Sequence, residues 1–218
     1  MKGLLIKDFK LMKQQKNFFL MILAIALFFA AAYEMPSFII SYVTVFFGIF
    51  ALNTISYDTY ESGEAFLFTL PVSRKGYVQE KYLFSFLLVA IAVLASSLLT
   101  WISMTLRNLP LVSEEFWGTI VATLMLLVFL NAVMLPVYLK FSVDKGKLVQ
   151  LIFFGIIFLG IFGGIKLCDI FEVDINRMID HLVRQSLQTL LLGIAAVSAV
   201  MLAVSYVISV KIMEKKEF

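Results

Sequence analysis

"ESGEAFLFTLPVSRKGYVQEK", residues 61–81, stands between two runs, Ser37–Ser56 and Tyr82–Thr105, that contain no Asp, Glu, Lys or Arg. The passage gathers carboxylates, basic side chains, glycine and proline. Each flanking run is near the ~20 apolar residues that a helix needs to span a bilayer. A short polar connector between two such runs predicts an all-α, polytopic membrane protein. The whole chain agrees, being 61% hydrophobic and only 15% charged, against about 45–50% apolar in ordinary soluble domains.

Upstream, Glu34, Met35 and Pro36 make only a brief break between "NFFLMILAIALFFAAAY" and the run that starts at Ser37, so the first two spans form an antiparallel hairpin. The pattern predicts six spans, at about 17–33, 37–56, 82–105, 118–139, 148–165 and 187–210, in one domain covering 1–218. Residues 2–16 place Lys2, Lys7, Lys10 and Lys13 on one side of a helical wheel, with Leu4, Leu5, Leu11 and Met12 mainly on the other. This predicts an amphipathic helix lying in the membrane interface, its lysines anchored to headgroups. Ala30-Ala31-Ala32 has the small-residue character of a signal-peptidase site, but the basic region before it is too long for a typical signal peptide, so the segment is expected to be retained.

Of the 18 Lys and Arg residues, all but Arg107, Lys166, Arg177 and Arg184 fall on one side of this topology. Cytoplasmic loops are enriched in Lys and Arg. The expectation is therefore that both termini, the 57–81 loop and the loop after the fourth span are cytoplasmic, in a multi-pass protein. The positive charge follows topology and does not suggest nucleic acid. On the other side, Cys168–Gln185 carries Phe171, Ile175, Met178, Ile179 and Leu182 at helical spacing and reads as an interfacial connecting helix.

Several chemistries lack their residues. A phosphate-binding loop needs a glycine-rich turn ending in Lys and Ser or Thr, whereas Gly146-Lys147 is followed by Leu148. His181 is the only histidine and Cys168 the only cysteine, which leaves no zinc-protease pair and no intrachain disulfide. No charge sits in the middle of a predicted span, which disfavours an ion-coupled carrier. Asn53, Ser96, Ser97, Thr100 and Asn131 inside spans read as interhelical glue, and Gly155, Gly160, Gly163 and Gly164 as a thin face for helix packing. No catalytic or metal-binding constellation is predicted.

Within the 57–81 loop, proline disfavours helix at the residue before it. Leu70-Pro71 should end one short helix and Ser73 should cap the next. The first would lie across the cytoplasmic face with Phe66 and Leu67 available to a partner or to lipid.

The run "YESGEAFLFTLPVSRKGYVQEKYL" resembles the cytoplasmic loop of type II permeases of ATP-binding-cassette (ABC) exporters, in which Glu, Gly, Glu and an apolar stretch precede Leu-Pro-x-Ser-Arg. The order, spacing and topological position agree. The resemblance implies a coupling helix seated in a groove of an ATPase subunit, with Glu61, Gly63, Glu64, Phe66, Leu67, Pro71, Ser73 and Arg74 in that role. "LPVYLKFSVDKGKL" resembles the second cytoplasmic loop of short bacterial members and implies contacts by Lys140, Asp144 and Lys145. Ser142 stands there where a glycine commonly follows the phenylalanine. The resemblance further implies a bacterial plasma-membrane subunit without a cofactor of its own. ATP and magnesium would be bound by a separate ATPase, and a second copy or a paralogous permease chain would complete the core. The expected cargo is hydrophobic or amphipathic, a toxin or antimicrobial peptide or a lipid-like molecule, for which Phe46, Phe47, Phe50, Phe84, Phe86, Phe153 and Phe154 offer aromatic surface. The competing expectation is a sensor or immunity subunit that uses the same loop without transport.

Overall fold

A computed structural model of the chain describes residues 2–33, 36–60, 63–108, 113–141 and 187–216, together with residues 148, 151–152, 155, 158–160, 163 and 166. The elements are α1 (Lys2–Gln14), α2 (Lys16–Ala32), α3 (Pro36–Thr59), α4 (Gly63–Leu67), α5 (Arg74–Leu106), α6 (Ser113–Lys140) and α7 (Leu187–Lys215).

Among the described residues four helices are long and apolar enough to cross a membrane, at Ser37–Thr59, Arg74–Leu106, Phe116–Lys140 and Ala195–Lys215. α1 and α2 together make a fifth only as a broken span, bent by 63°. The break at Gln15 falls near the expected boundary between the helix at 2–16 and the first span at 17–33, and the described residues do not reach the six spans expected. With 17 residues, α2 is about 26 Å long, short of a ~30 Å hydrocarbon core. The expected fifth span falls largely outside the described residues, as do Glu61, Asp144, Lys145, Phe153, Phe154 and the Cys168–Gln185 segment.

α3 is the central helix, packed against α2, α5 and α6, while α7 closes against α5 and α6. α1 crosses the start of α5, and α4 tucks beneath the end of α3. That end of the bundle, called basal below, holds a cluster to which six helices contribute, including Leu4, Ile55, Leu67, Tyr77, Leu135, Leu139 and Met213. A second cluster joins α1 and α2 to α3 and α5 through Phe9, Phe18 and Phe19 around Phe50, Phe84 and Leu88. The aromatic side chains expected to face lipid or cargo therefore divide. Phe50 and Phe84 are core, Phe46 and Phe47 are half-buried, and Phe86 is exposed.

Polar side chains inside the spans join helices as expected in part. Ser85 Oγ donates to Asn131 Oδ1 at 2.7 Å between α5 and α6, but Ser96 and Thr100 bond carbonyls of their own helix. Pro136 lies inside α6. It has no N–H to give the carbonyl four residues back, and in lipid such an orphan is costly. Ser205 Oγ of α7 donates to that carbonyl, Ala132 O, at 2.5 Å. Tyr82 OH of α5 lies 2.5 Å from Ser205 Oγ and 2.9 Å from Ser209 Oγ, so one hydroxyl chain ties three helices. At Gly155, Gly160 and Gly163 a Cβ would meet nothing within 4 Å. The glycine face thus has no close helix against it among the described residues.

Candidate functional site

The site is built where α3 and α5 run into the polar loop. Both helices extend further into it than the apolar pattern indicates, α3 to Thr59 and α5 from Arg74, so the irregular link shrinks to residues 60–73 around α4. Ser73 is the N-cap of α5, with extended backbone and its side chain accepting from Gly76 N at 3.0 Å, as its position before a charged helical run predicts. α4 ends in a turn in which Phe68 N donates to Glu64 O and Thr69 N to Phe66 O. Pro71 then sits in a tight reversal closed by Val72 N donating to Leu70 O at 2.6 Å. Gly63 is fixed by space, because a Cβ there would lie 2.8 Å from Asp58 O. Backbone cannot give way as a flexible side chain would.

The residues assigned to this loop divide into an outer and an inner set. Phe66 is 69% exposed and, with Thr69, Leu70, Pro71 and Ser73, forms the outward face of the loop. Leu67, expected to be available to a partner, instead points into the basal core. Glu64 is also buried, its Oε2 accepting from Lys216 Nζ at 2.7 Å. Lys216 donates further to Leu139 O at 3.0 Å, which pins α4 to the ends of α6 and α7. Arg74 is half-buried, its Nη1 donating to Met213 O at 2.9 Å and Glu214 O at 2.6 Å. A cation on the terminal carbonyls of α7 also complements that helix's dipole. Lys140 is exposed at the end of α6, its Nζ 5.4 Å from the centre of the Phe141 ring.

Behind α4 lies a charge network absent from the sequence-based expectation. Lys81 of α5 is 1% exposed. Its Nζ reaches Asp8 Oδ2 of α1 at 2.5 Å, Asp58 Oδ2 of α3 at 2.7 Å and Thr54 Oγ1 at 3.3 Å. Tyr77 OH donates to Asp58 Oδ2 at 3.0 Å, and Lys7 Nζ bonds Asp58 Oδ1. Lys7, expected to anchor in headgroups, is therefore turned inward, whereas Lys2, Lys10 and Lys13 are exposed. Both Glu80 oxygens are buried without a hydrogen-bond partner, one of them 3.8 Å from Lys81 Nζ. The clues were present in the sequence. Asp8 is the only acid in a basic helix and shares the Leu4 face at i, i+4; Lys81 directly precedes an apolar run.

Breaking a buried ion pair is far costlier than losing an exposed one, because the partner stays buried and uncompensated. Asp8, Asp58 and Lys81 therefore hold α1, α3 and α5 at one relative position. The loop has a surface for contact, an internal brace through Glu64 and Lys216, and a rigid link to the spans. Such an arrangement transmits displacement; among the described residues no group of His, Cys, Asp or Glu is arranged to hold a metal.

Comparison with known proteins gives one family: the model described as ABC-2 family transporter protein matches residues 3–214. No curated protein and no solved structure matches the chain. With nearly the whole chain matched, from the basic helix α1 to the end of α7, the chain belongs to the ABC-2 family, whose members are membrane permease subunits of ABC transporters that work with a separate ABC ATPase subunit.

Proposed function

We propose that this permease is an exporter subunit whose α4 loop couples a partner ATPase to movement of its spans, carrying a hydrophobic or amphipathic cargo, most simply a peptide. The observation that carries the reading is the two-sidedness of α4. Phe66 projects outward while Leu67 and Glu64, one and two residues away, lock into the core and onto Lys216. A groove in the ATPase that seats Phe66, Leu70 and Pro71 would push on a helix already fastened to α6 and α7 and backed by the Lys81 network. In this reading six spans place both termini and the loop in the cytoplasm of a bacterial cell. Two permease chains, identical or paralogous, then form the transport core, and ATP and magnesium bind in the ATPase.

The cargo class is supported by a cleft of about 460 Å³ among α5, α6 and α7, lined by apolar surface that includes Phe86, Val89, Leu127 and Leu135, while the polar atoms of Ser85 and Asn131 bond each other. A concave, mostly apolar pocket is the usual form of a small-molecule site, and this one suits the apolar part of such a cargo.

The test is co-purification of the tagged chain with its ABC ATPase, followed by uptake of a labelled amphipathic peptide into inverted vesicles. Leu70→Asp, at an exposed position, should lower ATPase retention and uptake together while the chain inserts normally. Full retention and uptake by that variant would overturn the docking surface; an ATPase-bound complex that moves no amphipathic peptide would overturn the cargo.

A further inference from the structure

The lysines of α1 and the start of α2 are not equivalent. Lys7 is consumed by Asp58, and the surface around Lys10 is shared with that same carboxylate and Tyr57. Lys13 and Lys16 have no acid within ion-pair distance among the described residues. They stand on either side of the bend at Gln15, whose Nε2 donates to Tyr57 OH at 2.8 Å and fastens the elbow to α3. The 63° bend opens a cleft of about 590 Å³. Its walls are Met12 of α1, Phe19 and Leu23 of α2, Val43 and Phe47 of α3, and Ala95 of α5, and among the described residues the only charged side chains that line it are Lys13 and Lys16, through their aliphatic stems. From Lys16 to Leu23 the slot descends seven residues of helix, about 10 Å.

We infer that this elbow cleft is a binding site for one anionic phospholipid, with the phosphate held between the Lys13 and Lys16 ammonium groups and an acyl chain lying in the slot. Two unpaired cations at the mouth of an apolar groove match a ligand that is anionic at one end and apolar along its length. A free phosphate would leave the slot empty, and a second copy of this chain would need carboxylates opposite both lysines. The volume lies within the usual range for small-molecule sites. A lipid seated there would fill the angle between α1 and α2 and hold α1 against the bundle, a resident role that does not depend on the cargo proposed above.

The probe is the full chain in mild detergent with equal amounts of phosphatidylglycerol and phosphatidylcholine, with retained lipid read by native mass spectrometry. At the strength of a basic residue beside an anionic leaflet, two lysines give about a 30-fold preference for phosphatidylglycerol. The double variant Lys13→Gln, Lys16→Gln should bring the two lipids to near parity, and Lys10→Gln should leave the preference intact. Ala95→Trp, which fills the slot, should lower retention of both lipids. Equal retention by the unaltered chain would overturn the site. So would a loss with Lys10→Gln as large as with the double variant, which marks diffuse charge, or full competition by glycerol 3-phosphate, which marks a site for phosphate alone.

Discussion

Replacing Lys81 with methionine removes the charge at the centre of the basal network while nearly preserving side-chain volume. In the intact chain Nζ contacts Asp8 at 2.5 Å and Asp58 at 2.7 Å in a site where Lys81 is 1% exposed and Asp8 fully buried. After the change Asp58 keeps Lys7 and Tyr77, but Asp8 keeps only Lys7 at 3.2 Å, and Glu80 loses its one ion-pair contact among the described residues. Removing one partner of a buried ion pair costs about 3–5 kcal/mol. The assay is equilibrium unfolding in mixed micelles with increasing sodium dodecyl sulfate, followed by loss of helicity. Lys81→Met should destabilise by about that amount, and the triple variant Lys81→Met, Asp8→Asn, Glu80→Gln should recover most of it, because Asp58 keeps Lys7 and Tyr77 and no uncompensated charge then remains buried. A loss below about 1 kcal/mol for Lys81→Met, or a triple variant no better than the single, would refute the account of this network.

Other consequences are as direct. Ser205→Ala should cost about 1–3 kcal/mol by leaving Ala132 O without its donor. In a Pro136→Ala background the new N–H serves that carbonyl and the cost should largely vanish, as a double-mutant cycle in micelles would reveal. Ser73→Ala should remove about 1 kcal/mol through loss of the α5 cap, read as earlier amide exchange at Gly76. Glu64→Arg sets a second cation beside Lys216 and should release α4 from α6 and α7, seen as protease cleavage within residues 60–73 while the spans stay protected; an uncleaved loop would contradict the brace.

The span pattern was legible because lipid demands long uncharged runs, and Ser37–Ser56 and Tyr82–Thr105 each sit within one helix as read. Ser73 was legible as a cap for a local reason, its hydroxyl preceding a helical run with no other start signal. What sequence reading could not supply was non-local. Periodicity marks Lys7 as one of several lysines on a polar face, and only the approach of Asp58, 51 residues away, turns it inward. Phe66 and Leu67 are alike in composition, and the pitch of a five-residue helix alone separates a contact surface from a core residue. The break near Gln15 was legible from the change of polarity between 2–16 and 17–33, but with no proline or glycine there the 63° angle was not, and it decides whether α1 and α2 count as a flank and a span or as one broken span.

The most direct test of the central claim places a photoreactive amino acid at position 66 in the permease co-expressed with its ABC ATPase, with position 86 as a control. Both side chains are about two-thirds exposed, but only Phe66 lies on the α4 face. The account predicts a crosslink to the ATPase from position 66 and none from position 86. An ATPase that co-purifies yet is not crosslinked from position 66 would contradict the claim that α4 is where the two subunits meet.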